Sequence, residues 1–148
     1  MTAAEEYLKS LIEQRNYIVE MMRHREELIE RANSIKSIDI SSDKVQSGYH
    51  RDHVGDQVSE VATLEQEIAE ENMKLLESVQ EFKMLLKNVR NASCWQVLNY
   101  IYGRFYTEGQ TAKVLKHTKT WVQIKRREGV KAFAQANEKF LKSWERIA

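Results

Sequence analysis

Apolar residues recur at helical spacing through most of the chain, in three stretches separated by polar breaks. The first stretch, about residues 2–33, places Leu, Ile, Val and Met at steps of three and four, which predicts a long helix. Thr2 and Glu5 stand three residues apart at its start, and this spacing predicts a capping box. The remaining positions alternate in charge, as on a solvent-exposed helix face.

The second stretch, about residues 53–90, has the most regular apolar pattern in the sequence. Six apolar residues recur every seven positions, the spacing of a coiled-coil-like helix that keeps one seam against a partner helix. The first helix, folded back as an antiparallel hairpin, is the favoured partner, and a second copy of the chain is the alternative. The heptad residues are Val54, Val61, Ile68, Leu75, Phe82 and Val89.

The segment between these two helices, residues 34–52, is predicted to be a long loop. It is rich in Ser and Asp, contains Gly48 and has no sustained helical period. His50 and His53 lie in and beside it with two aspartates nearby, but this spacing lacks the Cys or acidic partners of strong zinc signatures. Neither a metal ion nor a cofactor is therefore expected.

The third stretch, residues 94–148, follows a break at residues 88–93 and begins with a further helix. One face of that helix is expected to lie in the core. This face comprises Trp95, Leu98, Ile101, Tyr102 and Phe105. Cys94, the only cysteine, cannot form an internal disulfide, and its place on this apolar helix favours a small buried residue over a nucleophile.

Residues 107–122 have the pattern of two short helices joined by a tight turn. Thr107 and Gln110 have the spacing of a capping box, and Thr118 is the predicted N-cap of the following helix. The spacing of three small or aliphatic residues allows the two helices to share a core. These residues are Ala112, Leu115 and Val122. The pattern predicts a helix-turn-helix that docks on DNA.

Positive charge is concentrated in the same region. Residues 113–131 contain seven Lys or Arg and one acidic residue, a net charge of +6, whereas residues 1–93 carry a net charge of −6. Such a basic segment favours phosphate contact, and the acidic helices favour protein contact. Trp121, Val122 and Ile124 are expected to supply the apolar contacts of the second helix. The predicted DNA-binding residues are Lys116, Thr118, Lys119, Thr120, Gln123, Arg126, Arg127 and Lys131.

The composition restricts the fold class. Proline is absent, there are only five glycines, and 30% of the residues are charged, which favours long helices. We therefore predict an all-α protein. A long N-terminal antiparallel helical hairpin, residues 1–90, precedes a C-terminal helix-turn-helix module, residues 94–148, that ends in a further helix.

The sequence also argues against two functional classes. No apolar run approaches the roughly 20 residues that span a bilayer, and the N-terminus lacks a basic and then apolar leader. A soluble, cytoplasmic protein without membrane contact is expected. No phosphate-binding loop, metalloprotease motif or activated nucleophile can be recognised, so an enzyme is not expected.

Two segments resemble the small phage-encoded, sigma-factor-like transcription regulators of the ArpU and RinA type. Residues 42–47, SDKVQS, resemble a stretch that follows the first helix in that group. Residues 103–122 are similar to the family's entry into its helix-turn-helix, with RFYTEG followed by a short helix, a turn and a valine. The resemblance, over roughly residues 5–134, implies a module similar to sigma region four and control of late or transfer-related operons, with RNA polymerase as a further partner.

Two hypotheses follow. In the first, the protein is a sequence-specific DNA-binding transcription regulator of a phage or mobile element, and the helical hairpin recruits a partner or forms a homodimer. In the second, it is a helical structural, assembly or inhibitory protein that binds another protein. The two differ in their affinity for bulk duplex DNA, because phosphate contacts make binding strong at low salt and weak at high salt.

Overall fold

The computed structural model describes residues 1–41 and 47–147, with side chains for residues 1–34, 56 and 58–147. Six helices and one π-helical turn account for most of these residues, and the described chain contains no strand. The elements are α1 (Ala3–Ser41), α2 (Ser47–Leu86), α3 (Ala92–Leu98), the π turn (Asn99–Gly103), α4 (Glu108–Leu115), α5 (Lys119–Ala136) and α6 (Glu138–Ile147). The predicted all-α class is confirmed. None of the helices in these ranges combines the length and apolar character needed to cross a membrane.

Side-chain caps fix the beginnings of three helices, as the sequence predicted. At α1, the Thr2 hydroxyl accepts the N–H of Glu5 and the Glu5 carboxylate accepts the N–H of Thr2, both at 3.2 Å. At α4, Thr107 and Gln110 form the same reciprocal pair at 3.1 and 3.0 Å. Thr118 caps α5 by accepting one backbone N–H at 3.1 Å. Each cap satisfies a backbone donor that has no partner within the helix.

The predicted loop at residues 34–52 is wrong over most of its length. α1 continues to Ser41 and α2 begins at Ser47, so helix occupies both ends of that segment. Residues 42–46 lie outside the described part of the chain. Ser and Asp lower helix stability by only about 0.7 kcal/mol or less per residue relative to alanine, and the segment contains no proline to stop a helix.

The chain forms two compact units whose division differs from the predicted boundary. Unit 1 comprises Met1–Gln14 and Leu75–Ala148, and unit 2 comprises Arg15–Lys74. The predicted module at residues 94–148 is therefore packed together with the start of α1 and the end of α2. These two helices contribute to unit 1 as well as to unit 2 because each runs through both residue ranges.

The core of unit 1 is built around aromatic rings. Phe133 of α5 and Phe82 of α2 are fully buried, and their ring centroids lie 5.8 Å apart. The Phe133 ring also stacks on Tyr7 of α1 at 5.9 Å. Tyr7 in turn meets the edges of Phe140 and Trp144 in α6. Four helices from distant parts of the chain thus converge on one aromatic cluster.

α1 and α2 contact each other within each of the two units. In unit 1, the Tyr7 hydroxyl donates a hydrogen bond to Glu81 at 3.0 Å, and burial together with that carboxylate raises the pKa of Tyr7. In unit 2, His24 and Leu28 line a groove with α2 residues between 56 and 67. Each unit therefore contains its own contact between α1 and α2.

The apolar face predicted for the helix after the break is partly wrong, because that helix is interrupted. α3 ends at Leu98, the π turn follows, and Phe105 has a positive φ of 60°. Trp95 is 39% exposed and Phe105 is only half-buried. The buried residues of this segment are Cys94, Val97, Leu98, Ile101 and Tyr102, together with Asn99. Burial raises the pKa of the Cys94 thiol, as expected for the packing role predicted for it.

Candidate nucleic-acid interface

The turn between α4 and α5 closes with a defined backbone geometry. Lys116 adopts the left-handed conformation, with φ 58° and ψ 44°. The N–H of His117 donates to the Ala112 carbonyl at 3.0 Å, and the N–H of Lys116 donates to the Lys113 carbonyl at 3.3 Å. These are the two hydrogen bonds of a Schellman ending, in which glycine is usual. Lysine is held in this conformation at a cost of about 1–2 kcal/mol, so the tertiary contacts on both sides must hold the turn.

The side of α4 and α5 that faces the core is tightly packed. Ala112 and Val122 are buried in one cluster, and Leu115 packs against it, as their spacing predicted. Thr111 is fully buried, and its hydroxyl is satisfied by donating to the Thr107 carbonyl at 2.8 Å. α5 also lies close to α3. A Cβ added at Gly129 would stand 3.1 Å from the Leu98 side chain, so α5 is fixed between α4 and α3.

The opposite side of α5 is a stripe that faces solvent. Thr120, Ile124, Arg127 and Lys131 follow each other at steps of four, three and four, and all four are exposed. Gln123 lies at the edge of this stripe and is half-buried. The prediction that Ile124 contacts the core is wrong, since its side chain is 46% exposed. Its spacing from the three polar residues was the signal that could have placed it on the outer side.

Five of the seven cations between residues 113 and 131 form no ion pair with any residue that the structure describes. The two that do are Lys125, which lies 3.1 Å from Glu128, and Arg126, which lies 3.4 Å from Glu108. The other five are exposed, and their charge is available to an external anion. They are Lys113, Lys116, Lys119, Arg127 and Lys131.

Arg126 differs from the other predicted DNA-binding residues because its guanidinium contacts two other side chains of unit 1. Its Nε donates to the Tyr102 hydroxyl at 2.9 Å, and its Nη1 lies 3.4 Å from the Glu108 carboxylate. Burial lowers the pKa of Arg126, but these two partners more than offset that effect and raise it above the ordinary value. Arg126 is half-buried, and its guanidinium is already engaged by these two partners. It ties α5 to the π turn and to the start of α4.

Two of the residues at the turn also have a structural role. The His117 ring stacks on Trp121, with centroids 3.6 Å apart and planes 8° from parallel. Thr118 is exposed, but its hydroxyl oxygen is already engaged as the N-cap of α5. The stacking and the cap thus join the turn to the first helical turn of α5. Lys119 and Thr120, which lie in that helical turn, are exposed.

These elements define an all-α protein that displays a cationic helix beside a closed turn. Comparison of the chain with protein-family models, with curated proteins and with solved structures gave no significant match. The likeness to sigma-factor-like regulators therefore still depends on two short segments. Residues 42–46 of the first segment, and the side chains of His50 and His53, lie outside the described residues.

Proposed function

We propose that the protein is a sequence-specific DNA-binding transcription regulator of a phage or mobile element, and that α5 enters the major groove. The outward stripe of α5 carries this proposal, because it joins polar, apolar and basic side chains on a helix whose opposite side is packed. In helix-turn-helix proteins the second helix lies in the major groove and reads base edges with its N-terminal residues. RNA polymerase is the further partner that the family resemblance suggests.

The side chains of α5 and its turn divide into base contacts and phosphate contacts under this proposal. Gln123 suits adenine and Arg127 suits guanine, since both can form paired hydrogen bonds in the major groove. Ile124 and the methyl group of Thr120 suit the methyl group of thymine. Lysines around the stripe provide charge without reading sequence. These lysines are Lys113, Lys116, Lys119 and Lys131.

Binding of the full-length protein to a fluorescently labelled random duplex should depend strongly on salt. Four lysine–phosphate contacts correspond to a slope of about −4 in log affinity against log salt, so affinity should fall about a hundredfold between roughly 50 and 200 mM salt. Fluorescence anisotropy at several salt concentrations measures this slope. Absence of binding at the lowest salt would contradict the proposal and favour the alternative of a helical assembly or inhibitory protein that contacts another protein.

Replacing Ile124 by alanine should weaken binding to a preferred site about fourfold, because an apolar contact of methyl size contributes about 0.8 kcal/mol. The site is first selected from a random-sequence duplex pool. Deoxyuridine in place of thymidine at the contacted position should weaken wild-type binding by a similar factor and leave the variant unchanged. Ile147→Ala is the matched control, since Ile147 is 85% exposed but lies in α6. Equal sensitivity of wild type and variant to deoxyuridine would show that Ile124 does not contact the methyl group.

A further inference from the structure

Among the side chains of unit 2 that the structure describes, more large apolar ones are exposed than buried. The buried ones are Ile18, Met21, Leu28 and Ile68. The exposed ones are Tyr17, Val19, Met22, Ile29, Val58 and Met73. Two packed helices can bury apolar residues only where they contact each other, so the other sides of the pair stay exposed. Exposed apolar residues that cluster on one of those sides commonly mark a contact with another protein.

The two sides of the helical pair in unit 2 differ in polarity. One side has a groove whose lining is mostly polar, with His24, Asp56, Ser59, Glu60, Thr63 and Glu67 around two leucines. An α-helix turns about 200° in two residues, so a residue two positions from a groove residue points to the other side. Ala62 and Ala69 stand two positions after groove residues of α2, and Met22 stands two positions before one of α1. These three face away from the groove.

We propose that this other side, called here the apolar side, pairs with the same side of a second copy of the chain. On α1 it contains Met22 and Ile29, which are seven residues apart. On α2 its residues stand at successive steps of four, seven and four, which keeps them on one face. The α2 residues are Val58, Ala62, Ala69 and Met73, and all are exposed.

The order of residues along α2 is symmetric, which is the property that an interface between identical copies requires. In a two-fold interface, if residue i of one copy contacts residue j of the other, residue j of the first copy also contacts residue i of the second. When two α2 helices run antiparallel about an axis between positions 65 and 66, Val58 lies opposite Met73 and Ala62 lies opposite Ala69 of the other copy. The small alanines near the centre allow close approach of the two helices, and the larger side chains fill the ends.

Charge also favours a second copy over an unrelated partner. Apart from Glu65, the α2 stripe carries no charge, whereas the groove side carries Asp56, Glu60 and Glu67. A charged partner would therefore be drawn to the groove side. The apolar side extends about 22 Å along α2 and about 20 Å across two helices. That footprint is about 440 Å², about half of the roughly 800 Å² per partner of a standard-size interface, so a weak dimer is expected.

Sedimentation of the full-length protein without DNA, from about 1 to 100 µM, tests this proposal independently of the proposed function. The wild type is expected to be a dimer, and Ala69→Glu should raise the dissociation constant at least about tenfold, because it buries a charge in an apolar contact. Ala62→Lys should do the same. Thr63→Glu, on the groove side, is the matched control and should have no effect. Circular dichroism checks that every variant keeps its helix content.

The double variant Ala62→Lys, Ala69→Glu gives the sharpest test of the antiparallel pairing. Each introduced lysine would then face the introduced glutamate of the other copy at two symmetric places, so dimerisation should recover relative to either single variant. A monomeric wild type at about 100 µM would overturn the proposal and leave the apolar side to another protein. A wild-type dimer that both single variants leave intact, or that the double variant fails to restore, would equally overturn it. DNA binding plays no part in these outcomes.

Discussion

Replacing Phe133 by alanine is expected to lower the free energy of unfolding of unit 1 by about 3–5 kcal/mol. The ring is fully buried and joins Tyr7 of α1 to Phe82 of α2, so its removal leaves a cavity where three helices meet. A loss of this size is a large part of the roughly 5–15 kcal/mol typical of a folded domain. Urea unfolding followed by tryptophan fluorescence measures it, because all three tryptophans lie in unit 1.

Ile147→Ala is the control for this experiment. Its side chain is 85% exposed at the end of α6, and a substitution at such a site usually changes stability by less than about 0.5 kcal/mol. If Phe133→Ala also changed the free energy of unfolding by less than about 1 kcal/mol, the aromatic cluster would not be the centre of unit 1. The described packing of α1 against α5 would then be incorrect.

Reversing two charges on the outward stripe, Arg127→Glu with Lys131→Glu, should weaken binding to duplex DNA at least about a hundredfold at roughly 100 mM salt. The phosphate contact of Lys131 and the base contact of Arg127 are lost, and two charges that repel the phosphates replace them. The slope of log affinity against log salt should also become less steep by about one, because Lys131 is the phosphate contact of this pair. Fluorescence anisotropy with the wild type measured in parallel gives both quantities.

The matched control for the charge reversal is Lys139→Glu with Lys142→Glu. Both lysines are exposed on α6, and this pair changes the net charge by the same amount. It should weaken binding only a fewfold, through the overall charge of the molecule. Equal losses in the two double variants would show that net charge, and not the stripe on α5, determines the affinity. An affinity unaffected by either pair would contradict the proposed DNA contact altogether.

Arg126 is unsuitable for such a test although it lies next to Arg127 in the sequence. Its guanidinium serves Tyr102 and Glu108, and its removal would leave a partly buried carboxylate without its cation. Loss of DNA binding in an Arg126 variant would therefore report on the fold of unit 1 as well as on DNA contact. Sequence analysis predicted both arginines on one surface because only the spacing along α5 can be read from the sequence. The partners of Arg126, Tyr102 and Glu108, come from other elements and cannot be read in this way.

Local rules correctly predicted the features that depend on a few neighbouring residues. The two capping boxes and the cap at Thr118 each need only a hydroxyl and an N–H three positions later. Within the stripe on α5, Thr120, Arg127 and Lys131 were among the predicted DNA-binding residues and are exposed, whereas Ile124 was predicted on the wrong side. The seven-residue repeat predicted that Ile68 and Phe82 face inward, and both are buried. Such a repeat marks the face of α2 that packs against other helices.

The errors have separate physical causes. Residues 34–41 are helical in spite of their Ser and Asp content, because the preference against helix is small at each position. The π turn after Leu98 breaks the regular period that had placed Trp95 and Phe105 on the inner face. No local signal shows that Tyr7 belongs to the core of the C-terminal module, since its partners are far away in the sequence.

The place of Tyr7 in that core has a consequence for how the protein is made. A ribosome completes α1 long before it reaches Phe133, so the N-terminal helix must wait for most of its partners until late in translation. The exposed helix could meanwhile bind chaperones or a neighbouring nascent chain. α5 is therefore fully packed only after α1 has docked against the C-terminal helices. A fragment that contains only the C-terminal half would lack the core contacts that α1 supplies.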